Sequence, residues 1–190
     1  MKNWPNNKSW QALSTEGLTV VDCGQLHLPS GRLVGCDPYV VMKPGGNPHF
    51  QIPPGSYSVK ATLLDGEVAY MTVILDDNRK EVIRKVITQN IAGGVAIKNV
   101  EKEIVGFAVE QGTTCFVDDT ASEKITASDK EKWKIEGPVA NVTLPEQGDD
   151  VNIILFKAGQ SDQAYTLVGG HSTDGRLMAI HIDFFLLGRL

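Results

Sequence analysis

Apolar and polar side chains alternate most plainly between residues 57 and 63, where Tyr57, Val59, Ala61 and Leu63 are interleaved with Ser58, Lys60 and Thr62. A period of two sends these sets to opposite faces of an extended strand, one buried and one wet. Asp65-Gly66 follows, a dipeptide suited to the positive φ values of a type I′ turn, and residues 68–75 run back with apolar side chains on both faces. The pattern predicts a hairpin whose second strand is central in its sheet.

Elsewhere the signals are shorter. Residues 18–21 predict a strand. Leu26-His27-Leu28, Pro29-Ser30-Gly31 and Arg32-Leu33-Val34 predict a tight hairpin with Gly31 at its turn. Residues 39–42 form an apolar run that Pro44-Gly45-Gly46 stops. Residues 81–91 fit a helical period through Ile83, Ile87 and Ile91, but β-branched Val86 and Ile87 suit extended chain, and strand is the preferred reading. Residues 92–100, with Gly93-Gly94, read as a loop, and residues 104–109 and 114–117 as strands. Thr120-Ala121-Ser122-Glu123 and Ser128-Asp129-Lys130-Glu131 each have capping-box spacing, which predicts two short helices. Residues 151–156, 165–168 and 177–187 close the chain as strands, with Thr173-Asp174-Gly175 turning between the last two. Regularly spaced strands without βαβ alternation give a mainly β fold, an antiparallel β-sandwich or open barrel with two short helices near 119–134. Residues 1–16 read as a polar N-terminal tail and 17–190 as one β-rich domain.

Composition narrows the function classes. A hydrophobic fraction of 42 % with 22 % charged residues excludes a disordered chain. A net charge of −5 argues against nucleic acid as the partner, because duplex binding sets several cations against phosphates. No run approaches the roughly 18 apolar residues of a membrane span, and the N-terminus has no apolar core of a signal peptide. Cys23, Cys36 and Cys115 are odd in number and form no CxxC pair, which fits reduced thiols and a cytoplasmic location.

Candidate chemistry is sparse. Cys115 precedes a predicted helix, whose N-terminal dipole favours a thiolate, and Asp118 stands nearby. His181 and Asp183, two apart on a predicted strand, share a face, as a general base and its orienter would. Cys115, His181 and Asp183 are therefore the candidate catalytic set for a cysteine-dependent hydrolase. The plainer reading has Cys115 in the core, an aspartate capping the helix, and the His181–Asp183 pair on a wet strand face. Asp37, before a proline, also suits a turn-capping role. Asp37, Tyr57, Asp118, Asp162 and Asp183 are candidates to line a small-ligand pocket at one end of the sandwich. The four histidines are dispersed without metal-ligand spacing, and no phosphate-binding loop is present, so no metal or cofactor is expected.

Four blocks carry a resemblance. Gly31-Arg32-Leu33-Val34-Gly35-Cys36-Asp37-Pro38, Pro54-Gly55-Ser56-Tyr57-Ser58-Val59 and Gly112-Thr113-Thr114-Cys115-Phe116-Val117-Asp118 come first. Ser161-Asp162-Gln163-Ala164-Tyr165 with Gly170, Asp174-Gly175-Arg176 and Ile182-Asp183-Phe184 forms the fourth. In this order they resemble the bacterial domain of unknown function 4241 (DUF4241) family. The family pattern has Gly-Asp-Gly where this chain has Ser161-Asp162-Gln163, and a proline where it has Ser58. The resemblance implies one domain and supplies no activity. The preferred expectation is a cytoplasmic binding or interaction module with a protein partner, for example an immunity-type protein that occludes a toxin. The hydrolase and the small-ligand domain are the alternatives.

Overall fold

The computed structural model describes residues 17–39, 49–78, 81, 83–86, 97–99, 102–104, 106–148, 150–158 and 161–186. They form two antiparallel sheets packed face to face, a small two-stranded ribbon and two short helices. The larger sheet runs in the order β1 (Leu18–Leu28), β4 (Gly55–Leu64), β5 (Glu67–Ile74), β14 (Leu177–Asp183), β13 (Gln163–His171) and β6 (Ile83–Val86). β9 (Gly106–Val109) pairs with the first half of β13, and β6 with the second. The smaller sheet runs β11 (Val139–Thr143), β12 (Asn152–Lys157), β10 (Thr113–Asp118), β2 (Arg32–Cys36) and β3 (His49–Gln51). β7 (Ile97–Asn99) and β8 (Lys102–Ile104) form the ribbon.

Alternation builds the interior. Val59 and Ala61 on β4, Met71 and Val73 on β5, Leu167 on β13, and Ile180 and Ile182 on β14 face Leu33, Phe116, Ile154 and Phe156 of the smaller sheet. Phe116 and Phe156 meet edge to face at 6.1 Å, a favoured aromatic geometry. A second apolar cluster lies on the other side of the smaller sheet. There Val34, Cys36, Cys115, Val117, Ile153 and Leu155 are covered by Ala121, Trp133, Leu144 and Val151. Among the described residues the sandwich thus carries a third layer on one side only.

The central hairpin forms as the pattern predicts: Asp65 and Gly66 have φ of 51° and 89°, and β5 lies between β4 and β14. The first predicted hairpin does not. Residues 29–31 do turn, with Gly31 at φ 70°, but β1 pairs with β4 while β2 pairs with β10 and β3. The turn is a crossover between sheets. A Cβ at Gly31 would collide with the Ile52 carbonyl, so this position admits only glycine. Local pattern fixes a reversal of direction but not which neighbours receive the strands' hydrogen bonds.

Other boundaries shift. α1 (Asp119–Ser122) and α2 (Ala127–Lys132) occur where two helices are predicted; α1 is capped by Asp118, the aspartate of the plainer reading rather than Thr120, and α2 by Thr126 rather than Ser128. Thr126 and Asp129 form the reciprocal capping box of α2, two residues before the sequence-based choice. Residues 97–99, read as loop, are a strand because β8 supplies their ladder partners. β14 stops at Asp183, whose carboxylate accepts the Phe185 N–H at 2.8 Å while Phe185 takes φ 61°. β3 and β11 carry no sequence forecast. The readings at 1–16, 40–42, 44–46, 82, 87–96, 100 and 187 lie outside the described residues, as does part of the 104–109 strand. No helix among the described residues is long and apolar enough to cross a bilayer.

Candidate functional site

Because β14 alternates, Ile180 and Ile182 enter the core and His181 and Asp183 stand on the outer face of the larger sheet. Antiparallel register carries that polarity sideways. His181 pairs with Thr72, Thr72 with Lys60 and Lys60 with Asp22, while Asp183 pairs with Tyr70, Tyr70 with Thr62 and Thr62 with Val20. Two rows, mostly polar, therefore cross β14, β5, β4 and β1, with neighbouring side chains about 5 Å apart.

The first row ends in a built hydrogen-bond chain. The ring of His181 is only 2 % exposed, and both its nitrogens are used. Nε2 lies 2.8 Å from Glu81 Oε2, and Nδ1 lies 2.8 Å from Thr72 Oγ1. Glu81 comes from the segment just before β6, and its other oxygen is ion-paired with Arg84. The Arg84 guanidinium sits over the Tyr70 ring, 5.3 Å from its centre. The absence of a side chain at Gly170 makes this possible. A Cβ there would overlap the Glu81 carboxylate and come within 2.8 Å of His181 Nε2.

Electrostatics settle the protons. Burial pushes His181 below its ordinary value, which favours the neutral ring. For Glu81 burial opposes ionisation, but the hydrogen bond from His181 and the Arg84 guanidinium beside it outweigh that and hold the carboxyl below its ordinary value. An ionised carboxylate only accepts, so Nε2–H donates to Glu81 and Nδ1 is left to accept the Thr72 hydroxyl proton. The arrangement is carboxylate, imidazole, hydroxyl, with Thr72 half-buried at its outer end. Chemically it can polarise that hydroxyl or take its proton. Burial raises Asp183 above the usual carboxylate range. Tyr70 is raised too, by burial and then by the charge of Asp183.

The residues singled out from sequence are not gathered together. Cys115 lies in the second apolar cluster, on the outer side of the smaller sheet, whereas His181 and Asp183 stand on the outer side of the larger one. The core separates them, so the Cys115–His181–Asp183 set does not form. Burial, with Cys36 alongside, pushes the Cys115 thiol well above its ordinary value, opposite to the helix-dipole expectation. Desolvation of a wholly buried thiol outweighs a four-residue helix that begins after Asp118. Glu81, not Asp183, orients His181.

The proposed pocket set is also dispersed. Asp37 is fully buried after β2, where it accepts the N–H groups of Tyr39, Glu110 and Gln111 at 2.8–3.0 Å. Asp118 is equally buried and accepts from Ser30 N and Oγ and from Thr120 N and Oγ1. β2 and β10 are antiparallel, so these two clamps sit at opposite ends of the smaller sheet. Tyr57 on β4 donates its hydroxyl to the Pro53 carbonyl, and Asp162 occupies a left-handed turn at φ 62° before β13. A groove beside α2 is lined by Asp129, Lys132, Trp133, Val142, Leu144 and Pro145, and none of the sequence candidates faces it. Among the described residues no three His, Cys, Asp or Glu side chains cluster as metal ligands.

Sequence reasoning missed Glu81, Thr72 and Arg84. Thr72 could be found by extending the wet row Ser58, Lys60 and Thr62 across the Asp65-Gly66 turn. Glu81 could not, because 100 residues separate it from His181 and no local pattern joins them.

Neither a curated protein nor a solved structure matches the chain. A family model does match, over residues 26–182, and it is described as a protein of unknown function. That span takes in all four sequence blocks up to Ile182 and both sheets of the sandwich, so the chain belongs to the DUF4241 family.

Proposed function

We propose that the protein is a binding module that engages a protein partner along β1, at the margin of the polar outer face. The observation that carries this reading is Val20, 62 % exposed on an edge strand. Among the described residues β1 has β4 as its one strand neighbour; Asn141 and Asn152 hold the backbone of its second half at Cys23, Gln25 and His27, so strand addition is proposed along Leu18–Asp22. Asp22, exposed on the same face, and a net charge of −5 favour an extended basic segment as occupant. An acidic protein that occludes a toxin is one form such a module takes.

The test places a photo-cross-linking phenylalanine analogue at position 20 of the full chain, expressed in its native cells. A discrete cross-linked partner, lost with Val20→Pro and absent when the analogue replaces Lys157 on β12, is the expected result. An uncross-linked chain, or equal cross-linking from both positions, overturns it.

A second reading rests on the Thr72–His181–Glu81 chain. A hydroxyl bonded to a neutral, carboxylate-oriented imidazole is the arrangement an acyl-transfer nucleophile uses. Hydrolysis of an activated ester that disappears with Thr72→Val supports an enzyme. No turnover above the buffer rate, or turnover unchanged in that variant, removes this reading.

A further inference from the structure

We infer that Cys36 and Cys115 are a latent disulfide, a cross-strand pair whose bonded form fits the sheet as it stands and that a small disulfide oxidant forms once it gains access. The two are register partners on β2 and β10, and their sulfurs lie 3.6 Å apart. Directly opposed residues in an antiparallel pair have Cα atoms about 4.5 or 5.5 Å apart, and both spacings fall inside the roughly 4.4–6.8 Å that a disulfide spans. Closing the bond therefore asks for side-chain rotation rather than strand displacement. Cys23 cannot compete, because it belongs to the other apolar cluster, across the smaller sheet.

Burial sets the kinetics. Both sulfurs are fully buried, and burial with the neighbouring Cys36 keeps Cys115 as the thiol. Exchange needs a thiolate and access, so the folded, reduced protein resists oxidant until the sheet edge opens. Among the described residues β2 has β10 on one side and, on the other, the three-residue β3 against Arg32–Val34. During folding the thiols are exposed. One attacks an oxidant R–S–S–R and releases RSH; the second attacks the resulting mixed disulfide and releases another RSH. Two protein thiols and one small disulfide thus become one protein disulfide and two small thiols. The two protons end on the released thiols, and the two electrons reduce the oxidant's sulfur–sulfur bond. Once made, the bond is as buried as the thiols were and links residues 79 apart.

The test uses the full wild-type chain. It is refolded from denaturant with oxidised and reduced glutathione, and in parallel the folded, reduced chain receives the same mixture. Remaining thiols are alkylated and peptides mapped without reduction. We expect one Cys36–Cys115 bridge with Cys23 alkylated, and a midpoint of thermal unfolding raised by roughly 5–10 °C over the reduced chain. We expect bridging of the folded chain to be slower by at least about 100-fold, the mark of burial. A refolded chain in which Cys36 and Cys115 still alkylate, or in which Cys23 is bridged as often, overturns the pairing. Equal rates in the two arms overturn the gating by burial.

Discussion

The two outer faces of the sandwich are built on opposite plans. Outside the smaller sheet, Val34, Cys36, Cys115, Val117, Ile153 and Leu155 make a second apolar cluster, closed over by Ala121, Trp133 and Leu144. Outside the larger sheet, the same alternation delivers Asp22, Lys60, Thr72, His181 and Asp183. The first face stabilises by removing apolar surface from water. The second holds polar groups whose geometry is fixed by hydrogen bonds, and each bond adds little net stability while each loss costs. Selection for stability alone gives no reason to bury an imidazole between a carboxylate and a hydroxyl. That contrast is why the proposed function is sought along the larger sheet's outer face rather than on the cysteine face.

Truncation on the apolar side should produce the largest effect. Leu155→Ala removes a fully buried side chain from beneath the third layer and should cost about 2–5 kcal/mol, read as a lower urea midpoint. A loss below about 1 kcal/mol would mean the second cluster is loosely packed, and the contrast between the faces would fail.

On the polar side the expected losses are smaller and depend on pH. Glu81→Gln keeps the shape but removes the charge that orients His181, and should cost about 1–3 kcal/mol at neutral pH. Glu81 has a folded-state value lowered from 4.5 to about 2. Its contribution is therefore present above about pH 4.5 and lost as pH falls towards 2. His181 is also lowered from 6.5 by burial, so the unfolded chain takes up the proton first and stability falls as pH drops below 6.5. Wild-type stability measured from pH 8 to pH 3 should decline in both windows, and His181→Phe should erase the upper one. An upper decline that survives His181→Phe would assign it to another group.

Gly170→Ala tests the same contact from the other side. The new methyl displaces the Glu81 carboxylate from His181, at a cost of about 1–3 kcal/mol. The sharper expectation is non-additivity. Combined with Glu81→Ala, the glycine change should cost less, since its two closest contacts are gone and only the 2.8 Å approach to His181 Nε2 remains. Additive losses would show that Gly170 is needed for the strand itself and not for Glu81.

What sequence made legible follows from the range of each signal. Alternation spans a few residues, and it gave the strands, the Asp65-Gly66 hairpin and the shared face of His181 and Asp183. The same range explains the errors. Leu26 to Val34 reverses direction as predicted, but whether two arms pair with each other or with distant strands depends on β4 and β10, invisible in the local pattern. For Cys115 sequence displays the helix and not the burial, so an activated thiol and a buried one both stay open there, and the plainer buried reading is the one the structure has. His181 was found but given the wrong partner, since Asp183 is its neighbour in sequence and Glu81 its neighbour in space. Cys36 and Cys115 fall in two of the blocks that resemble the family, yet only the register of β2 and β10 makes them a pair.

The smallest effect asks whether the third layer is a helical cap or merely a strap. α2 buries none of its residues, and the cover over the smaller sheet comes from Ala121, Trp133 and Leu144, which lie outside it. Thr126→Ala removes the hydroxyl that accepts the Asp129 N–H and receives support from the Asp129 carboxylate in return. If α2 only spans the distance between Ala121 and Trp133, loosening its first turn should cost about 0.5–1 kcal/mol, with the urea slope unchanged. Trp133 should stay in place, because its edge-to-face contact with Tyr39 at 6.1 Å does not pass through the helix. Tryptophan emission that stays unshifted in the variant would support that anchoring. A loss above about 2 kcal/mol, more than a cap alone supplies, would make α2 part of the seal. The apolar face would then owe its closure to local helix formation as well as to burial.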